Sequence, residues 1–245
     1  MDTFGCFSPL LLPLSRGKRN ITQIFLPYPH HPTGSYLYRD EVESIVTNCT
    51  WEYDLMQAVT AYIPPGTTAI DVGCNIGAFT TFFTHKVGET GHVHSFDIQS
   101  WVFGCLEKTL QKNNHVNIVT THVCGASNKV GEMPMVSNCT GGSFVNATPD
   151  LHPVPDWQGE RVQSTSPVKP IDDFKIQNVS VIKVDAEGHD VEVVEGALQT
   201  IKQNRPVLIL ESSAENHEAT IKLLDGLNYS WDAYPGCNFV WIPNK

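Results

Sequence analysis

Short apolar runs alternate with longer helical patterns along most of this chain, and that alternation constrains the fold more than any other feature. The strand-like runs lie at 69–72, 92–96, 117–123, 179–184, 207–210, 229–233 and 238–242. Helical patterns occur at 50–63, 76–85, 101–113, 191–202 and 216–227. Strands that alternate with helices predict an α/β fold, here a mainly parallel seven-stranded sheet with helices on both faces. Only a Pro-Gly turn separates the last two runs, so they predict a C-terminal antiparallel hairpin.

The chain divides into an N-terminal extension, residues 1–49, and one large domain, residues 50–245. Within the domain, residues 128–170 break the alternation, because they are rich in Pro, Gly, Ser and Thr, with Trp157 among their few aromatic residues. Connections of that length are usually functional or disordered. This one follows the third strand, so it leaves the sheet at the carboxyl edge, where ligands bind. We therefore predict that residues 128–170 form a substrate lid.

The net charge argues against nucleic acid as a partner, and the hydropathy of the N-terminal stretch argues against a membrane span. A net charge of −10 argues against nucleic acid as the main partner, since such proteins neutralise phosphates with clustered Lys and Arg. The apolar N-terminal stretch FGCFSPLLLPL is short and broken by two prolines, so it cannot span a bilayer, and it lacks the basic start of a signal peptide. The sequence leaves the oligomeric state undefined.

Cysteines and asparagines point to different compartments. The seven cysteines include no C-x-x-C pair, and reduced, packed thiols agree with a cytoplasmic protein. N-x-[ST] sequons are nevertheless more frequent than the roughly two that chance would give. Their asparagines are Asn20, Asn48, Asn138, Asn146, Asn178 and Asn228. We take the cytoplasm as the default, with the Golgi or another secretory lumen as the alternative.

The segment AIDVGCNIGAFTTFFT, at 69–84, has the form of a strand, a glycine loop and a helix. Its spacing is D-x-G-x-N-x-G, from Asp71 through Gly73 and Asn75 to Gly77. A P-loop is excluded because no Lys-Ser/Thr follows, and a dinucleotide is disfavoured because Asn75 stands where a pyrophosphate needs a glycine. The methionine portion of S-adenosylmethionine (SAM) carries no phosphate and could pass over Asn75. The loop therefore favours SAM as the cofactor.

Residues at the next strand ends complete the predicted SAM site. Asp71 can attract the ammonium of the methionine portion, directly or through water, while loop amides and the following helix N-terminus suit its carboxylate. Asp97 ends the second strand, precedes Ile98, and can accept hydrogen bonds from both ribose hydroxyls. Ala126 and Ser127, at the end of the third strand, would close over the adenine.

The segment VIKVDAEGHDVEVVEGALQTIKQNRPVLILES, at 181–212, resembles the signature of FkbM-type methyltransferases. NCTGGS at 138–143 and Trp51-Glu52 are similar to other parts of that family's pattern, so the resemblance covers roughly residues 50–215. It implies a Rossmann-like class I methyltransferase fold, SAM as cofactor, Glu52 near that cofactor, and methylation of a hydroxyl, often on a sugar or natural product. Asp97 replaces the family's more usual glutamate, and Ala186 replaces a larger residue.

Acids after the fourth and fifth strands are candidates for the base that removes the hydroxyl proton. Asp185 and Glu187 follow the fourth strand, and Glu211 follows the fifth. Lys183 lies two residues before Asp185, on the same side of its strand, and could keep that carboxylate ionised. We predict that these side chains surround the acceptor hydroxyl, with Asp185 also next to the cofactor. His189 is a further candidate, since histidine titrates near neutral pH.

Several alternatives stay open. The carboxylates could form a structural ion pair, or hold a divalent ion such as Mg²⁺. No third or fourth ligand is evident, however, so we predict no metal. An RNA ribose 2′-O-methyltransferase can place Lys, Asp and Glu around a hydroxyl in the same way, although the acidic charge counts against RNA. A module that binds SAM without catalysis is the other possibility, and the sequence does not identify the acceptor.

Overall fold

The computed structural model describes residues 7–13, 21–27, 52–100, 102–137, 143–145 and 162–244. Its strands are β1 (Phe7–Pro13), β2 (Ile21–Pro27), β3 (Thr68–Val72), β4 (His92–Asp97), β5 (Val119–Val123), β6 (Gly125–Ala126), β7 (Gly131–Ser137), β8 (Ser143–Val145), β9 (Val162–Lys169), β10 (Val179–Val184), β11 (Val207–Glu211), β12 (Tyr229–Tyr234) and β13 (Asn238–Pro243). Its helices are α1 (Tyr53–Val59), α2 (Ala78–Val87), α3 (Val102–Asn113), α4 (Asp190–Glu195), α5 (Leu198–Asn204) and α6 (Ala214–Leu223).

A seven-stranded sheet in the order β12-β13-β11-β10-β3-β4-β5 forms the centre of the domain. The strands from β11 to β5 are parallel, whereas β13 pairs antiparallel with β11 and with β12. The predicted α/β architecture, with its antiparallel C-terminal hairpin, is confirmed. The chain builds outward from β3 through β4 to β5 and then returns to β10 on the other side of β3. The sheet therefore has its topological switch point between β3 and β10, where open α/β sheets bind ligands.

Apolar residues in the central strands alternate between two cores, one on each face of the sheet. Ala69, Val181 and Ile209 pack against the phenylalanines of α2 and the apolar side of α1. Their chain neighbours Ile70 and Ile182 face the opposite core, which α4 and α5 cover. Because successive side chains of a strand point to opposite faces, helices on both faces bury nearly every position of these strands.

The helix predicted at 191–202 is two helices, α4 and α5, which is a correction to the sequence analysis. The break falls at Gly196 and Ala197, between Glu195 and Leu198. A side chain at Gly196 would place its Cβ 1.9 Å from the carbonyl oxygen of Ser127. The close approach of a distant loop therefore selects glycine here, and the local helical periodicity carries no sign of that contact.

The region predicted as an irregular lid contains regular structure. β7 and β9 pair antiparallel from Gly131↔Val168 to Ser137↔Val162, in a small sheet of order β6-β9-β7-β8. β6 follows directly after β5, so this small sheet begins next to the carboxyl edge of the main one. Trp157 and most of the NCTGGS segment lie outside the described residues, and the role as a substrate lid stays a prediction.

In the N-terminal extension, β1 and β2 pair antiparallel, and the other residues before 52 lie outside the described part of the chain. Among the helices that the structure describes, none combines the length and apolar character needed to cross a bilayer. The division into an extension and a main domain stays a prediction.

Candidate active site

A cleft opens at the carboxyl edge of the sheet, around the switch point between β3 and β10. It encloses about 560 Å³, counting the part that is open to solvent. Ligand pockets of small molecules span a few hundred to about 1,000 Å³. Its walls come from the ends of β3, β4 and β10 and from the turn after β5. The lining residues include Gly73, Asn75, Asp97, Ile98, Gln99, Ala126, Asp185, Glu187 and His189.

The glycine loop passes close to the end of β10. Gly73 has φ +73°, and a Cβ added there would lie 1.8 Å from the carbonyl oxygen of Asp185. Asn75 has φ +48°, the left-handed conformation that asparagine tolerates better than most residues. Gly77 has φ +94°, and a Cβ added there would lie 2.4 Å from Cδ1 of Leu106. The loop therefore needs glycine at two of its positions for backbone reasons alone.

The loop amides are mostly engaged inside the protein. The N–H groups of Gly73 and Cys74 donate to the carbonyl oxygen of Phe96, at 2.9 and 3.0 Å. The N–H of Asn75 donates to a carboxylate oxygen of Asp97 at 3.0 Å. These amides are predicted from the sequence to suit a ligand carboxylate, but in the structure they hold the loop against β4. The first turn of α2 still offers amides that have no partner within the helix.

Asp97 lies at the end of β4, in the wall of the cleft. Its two oxygens accept from the N–H groups of Asn75 and Gln99, at 3.0 and 2.8 Å. Burial raises its pKa to about 6, against the lowering effect of these two hydrogen bonds. A carboxylate has about four lone-pair sites, so each oxygen can still accept from a ligand hydroxyl. Asp97 thus lies in the wall of the cleft, and its role as the ribose acceptor stays a prediction.

Asp71 lies below the cleft rather than in its wall. The residue is fully buried, and its Oδ2 accepts from the Thr80 hydroxyl at 2.6 Å. Thr80 also bonds to the Ser95 hydroxyl at 2.8 Å. Asp71 Oδ1 has no hydrogen-bond partner among the described residues, and burial raises the pKa of this carboxyl while Lys183 opposes the shift. Asp71 thus does not line the cleft, and its attraction of a ligand ammonium, directly or through water, stays a prediction.

Lys183 joins Asp71 to the acids of the cleft. It pairs with Asp71 in the register between β10 and β3, and its ammonium contacts Asp185 Oδ2 at 3.0 Å. The ammonium also lies 5.0 Å from the centre of the Phe79 ring, and the residue is only 4% exposed. Burial would lower the pKa of Lys183, but Asp185 and Asp71 raise it above its ordinary value. Lys183 is therefore a buried, permanently charged cation and cannot serve as the base.

Three acids surround the edge of the cleft above Lys183. Val184 pairs with Leu210 between β10 and β11, so Asp185 and Glu211, one residue further along each strand, leave the sheet side by side. Glu187, with φ +51°, follows in the turn after β10. Burial, reinforced by the charge of Asp185, raises the pKa of Glu187 to about 7 and that of Glu211 to about 8. Neighbouring atoms withdraw part of each carboxyl group from water, but both residues are exposed over much of their surface, so solvent screening leaves these pKa shifts no weight as stability contributions.

His189 is held between two partners in the cleft wall. Its Nε2 is 3.0 Å from the hydroxyl of Ser127, and its Nδ1 is 3.5 Å from a carboxylate oxygen of Glu192. The residue is 5% exposed, and burial lowers its pKa. His189 therefore connects the start of α4 to the Ala126–Ser127 turn, an arrangement that favours a positioning role over that of a base. Ser127 itself lies behind the wall.

Glu52 and Glu211 lie near the cleft but not among its lining residues. Glu52 has φ +42° at the start of α1, and its side chain accepts from the Asn238 amide at 3.2 Å. Asn238 pairs with Glu211 between β13 and β11, so both glutamates border the same edge of the sheet. The structure thus brings Lys183, Asp185, Glu187, Glu211 and Glu52 together beside the cleft.

Three residues of the site are not predicted from the sequence: Thr80, Ser95 and Gln99. Thr80 donates to Asp71 and bonds to Ser95, and Gln99 follows Asp97 as a buried residue in the cleft wall. A signal is present for Thr80, because α2 carries threonines among phenylalanines on a face that must be buried. A buried hydroxyl needs a partner, and Asp71, at the end of the strand that leads into the glycine loop, is a candidate carboxylate for it.

Within the described part of the chain, no group of three or more His, Cys, Asp or Glu residues is placed to hold a metal ion. The carboxyl groups at the cleft are instead arranged around the ammonium of Lys183.

Comparison with solved structures places the fold among the methyltransferases. A methyltransferase FkbM from Methylobacillus flagellatus KT is 18% identical, with a TM-score of 0.51, and the match covers 71% of this chain and 43% of that one. A methyltransferase from Geobacter sulfurreducens is 13% identical over 88% and 90% of the two chains, with a TM-score of 0.49. A SAM-dependent O-methyltransferase from Thermotoga maritima is 12% identical over 78% and 66%, with a TM-score of 0.42.

This chain therefore spans less than half of the M. flagellatus protein. No curated protein sequence matches it significantly. The family model of the methyltransferase FkbM domain matches residues 71–231, from the glycine loop to the C-terminal hairpin. That match covers well over half of the chain and includes the cleft and its acids. The chain belongs to the FkbM family of methyltransferases.

Proposed function

We propose that this protein is a SAM-dependent O-methyltransferase that methylates a hydroxyl of a sugar, a glycan or another small hydroxylated acceptor. The observation that carries the proposal is the pairing of two acidic positions across one cleft. Asp97 stands at the end of β4, where it can accept from ribose hydroxyls, and Asp185 stands at the end of β10, held by Lys183. Between them lies the glycine loop, which leaves room for a ligand without phosphates.

The residues of the cleft fit SAM. Its volume suits a ligand of that size, and its acidic edge suits the positive charges of a sulfonium and an ammonium. Ala126 and Ile98 offer apolar surface for an adenine on the side of β5. The bound cofactor supplies a methyl group on a sulfonium, which leaves as a neutral thioether when the methyl moves to oxygen.

The chain's own part in the reaction is to align the acceptor and take its proton. As the oxygen–methyl bond forms, the hydroxyl proton passes to a carboxylate within hydrogen-bond reach. Asp185 is the best placed, because it lines the cleft and comes directly off the strand beside Gly73. Glu187 and Glu211 can assist, since carboxyls with a pKa of about 7 and about 8 exchange protons readily at neutral pH.

The charge of the site favours a sugar or small acceptor over RNA. Asp185, Glu187 and Glu211 share a single buried lysine, and the negative charge of Asp185 adds to burial in raising the pKa of both glutamates. A phosphodiester backbone would meet repulsion at this edge. The retained set of acids also argues against a module that binds SAM without catalysis.

A methyl-transfer screen with labelled SAM tests the proposal. Monosaccharides, oligosaccharides and RNA are offered as acceptors, and the label is followed into product. We expect label in a carbohydrate or small hydroxylated compound. Label in RNA alone would support the ribose 2′-O-methyltransferase instead, and SAM binding without transfer to any acceptor would support the non-catalytic module.

Replacing Asp97 tests the cofactor assignment. We expect Asp97→Ala to weaken SAM binding by about 1–3 kcal/mol at pH 7.5, because the hydrogen bonds to ribose are lost. Isothermal titration calorimetry measures the affinity, and a thermal melt checks that the variant is folded. The matched control is Glu107→Gln on the exposed side of α3, which should leave the affinity unchanged. Unchanged SAM affinity in the Asp97 variant would refute the ribose assignment.

The pH dependence of turnover tests the acids. Below pH 6 the raised pKa values keep Glu187 and Glu211 protonated and uncharged, and above pH 9 both are ionised. We therefore expect kcat to rise across pH 6–9, with an apparent pKa that belongs to the group of acids rather than to one residue. Glu187→Gln should shift this rise. A flat profile at saturating SAM would show that these glutamates take no part in the rate-limiting step.

A further inference from the structure

We propose that Asn228 carries an N-linked oligosaccharide. Such a modification would mean that the protein works in the lumen of the secretory pathway, which is the alternative to the cytoplasm that the sequons indicate. The sequence contains more N-x-[ST] sequons than chance would give, and two of them lie entirely within the described residues, at Asn178 and Asn228. An occupied sequon needs an exposed asparagine whose amide nitrogen can carry a bulky substituent. The two sites differ in that respect.

Asn228 meets the requirement better than Asn178. Both residues are exposed and adopt positive φ, +54° and +57°, in turns that precede a strand. Asn178 uses its amide nitrogen to donate to the carbonyl oxygen of Gly66 at 3.0 Å. Asn228 is held through its oxygen instead, which accepts from the Asn244 amide at 3.2 Å. Its Nδ2 has no hydrogen-bond partner among the described residues.

The hydroxyl residue of the Asn228 sequon is also at the surface. Ser230, which completes the sequon, is exposed, and its hydroxyl bonds to Asn244 Oδ1 at 3.1 Å. Tyr229 anchors the turn, since its hydroxyl donates to the carbonyl oxygen of Pro206 at 2.8 Å. Asn228 therefore stands on a fixed turn with its side chain at the surface, and a substituent on Nδ2 displaces no packed group.

The position of Asn228 keeps an attached glycan away from the active site. β12 runs parallel to β11, because both pair antiparallel with β13, so its first residue lies at the amino edge of the sheet. The cleft opens at the carboxyl edge. A strand of six residues at about 3.3 Å per residue separates the two edges by roughly 20 Å. A glycan at Asn228 would therefore leave the cleft accessible to both the cofactor and the acceptor.

The chemical step of this modification is an ordinary glycosyl transfer. The side-chain nitrogen of Asn228 forms a bond to the anomeric carbon of an oligosaccharide activated as a lipid-linked diphosphate. The bond from that carbon to the diphosphate oxygen breaks, the lipid diphosphate leaves, and the nitrogen loses one proton. The activated sugar and its transferase are those of the secretory lumen, which is why occupancy of this site reports the compartment.

The test examines the full-length protein from the cells that naturally make it. Tryptic peptides are analysed by mass spectrometry before and after an amidase that removes N-glycans and leaves aspartate in place of the modified asparagine. We expect the peptide with Asn228 to carry the glycan and to show that conversion. In cells that express variants, Asn228→Gln and Ser230→Ala should abolish the modification at this site. Ser230→Thr and the neighbouring Asn244→Gln should retain it, since both keep the sequon.

An unmodified Asn228 peptide in the natural protein would overturn the proposal. SAM binding and methyl transfer are measured on the same preparations, with and without the amidase. Because Asn228 lies far from the cleft, both should be unchanged in Asn228→Gln. Loss of the glycan and failure of the proposed methyltransferase activity are thus separate outcomes.

Discussion

Asp185→Asn should lower kcat by ~10²–10⁴-fold while changing SAM affinity far less, because loss of a general base removes proton transfer and leaves most of the binding surface intact. Asp185 lines the cleft, and its backbone N–H donates to the Val72 carbonyl oxygen at 3.0 Å, which fixes it beside the glycine loop. Asparagine keeps the size and can still accept from Lys183. Single-turnover kinetics with the acceptor found in the screen measure the loss.

Substitutions of the neighbouring acids test whether Asp185 in particular is the base. Glu187→Gln should be less damaging and Glu211→Gln least, since Glu211 is one strand further from the glycine loop. Glu215→Gln, an exposed acid at the start of α6, is the control and should have wild-type turnover. Wild-type turnover in a folded, SAM-binding Asp185→Asn enzyme would place the base elsewhere. Loss of activity in EDTA with recovery in Mg²⁺ would instead make these acids metal ligands.

Lys183→Met should destabilise the fold by about 3–5 kcal/mol, the usual cost of removing one partner from a buried ion pair. Methionine fills much the same volume, but Asp71 then keeps a buried charge with hydrogen bonds from Thr80 and without its cation. Urea denaturation at pH 7 measures the loss. Turnover should also fall, because Asp185 loses its positive neighbour.

The double variant Asp71→Asn/Lys183→Met separates charge from packing. It should recover much of the lost stability, since no uncompensated carboxylate is then buried. In the single variant, burial holds the pKa of Asp71 above its unfolded value, so folding favours the protonated form and the penalty grows as pH rises. The stability gap between single and double variants should therefore be wide at pH 7 and should narrow as pH falls towards 4. A gap independent of pH would mean that Asp71 is not the origin of the penalty.

Much of the fold can be predicted because its signals are local. Each predicted strand of the main sheet corresponds to an observed one, and the run at 179–184 coincides with β10. β7 and β9 escape prediction because each carries a proline, at Pro134 and Pro167, and because polar residues dominate β9. These strands exist because β7 pairs with β9 and β9 pairs with β6, and such pairing depends on partners that lie outside the local sequence.

The site can be predicted as a set of positions but less well as a set of roles. Asp97 and Asp185 are located from strand ends, because the carboxyl ends of parallel strands meet at one edge. For Asp71, the sequence predicts an interaction with a ligand but not the hydrogen bond from the Thr80 hydroxyl. That hydroxyl, on α2, donates to one carboxylate oxygen of Asp71. The sequence allows His189 as a base, but its contacts to Ser127 and Glu192 depend on how α4 packs against the turn after β5.

The switch point between β3 and β10 has a consequence for how the protein reaches its native state. Thr67 and Ser180, at the amino ends of these strands, bond at 2.8 Å although 113 residues separate them. Closing a loop of that length costs about 4 kcal/mol in chain entropy, which must be met before the contacts between the two strands contribute. β3, β4 and β5 precede β10 along the chain, so the cleft lacks the part that β10 supplies until β10 has been made. A ligand that contacts β10 as well as the other parts of the cleft binds only the completed sheet. At a free concentration of a hundred times its Kd, such a ligand would stabilise the pairing of β3 with β10 by about 2.7 kcal/mol.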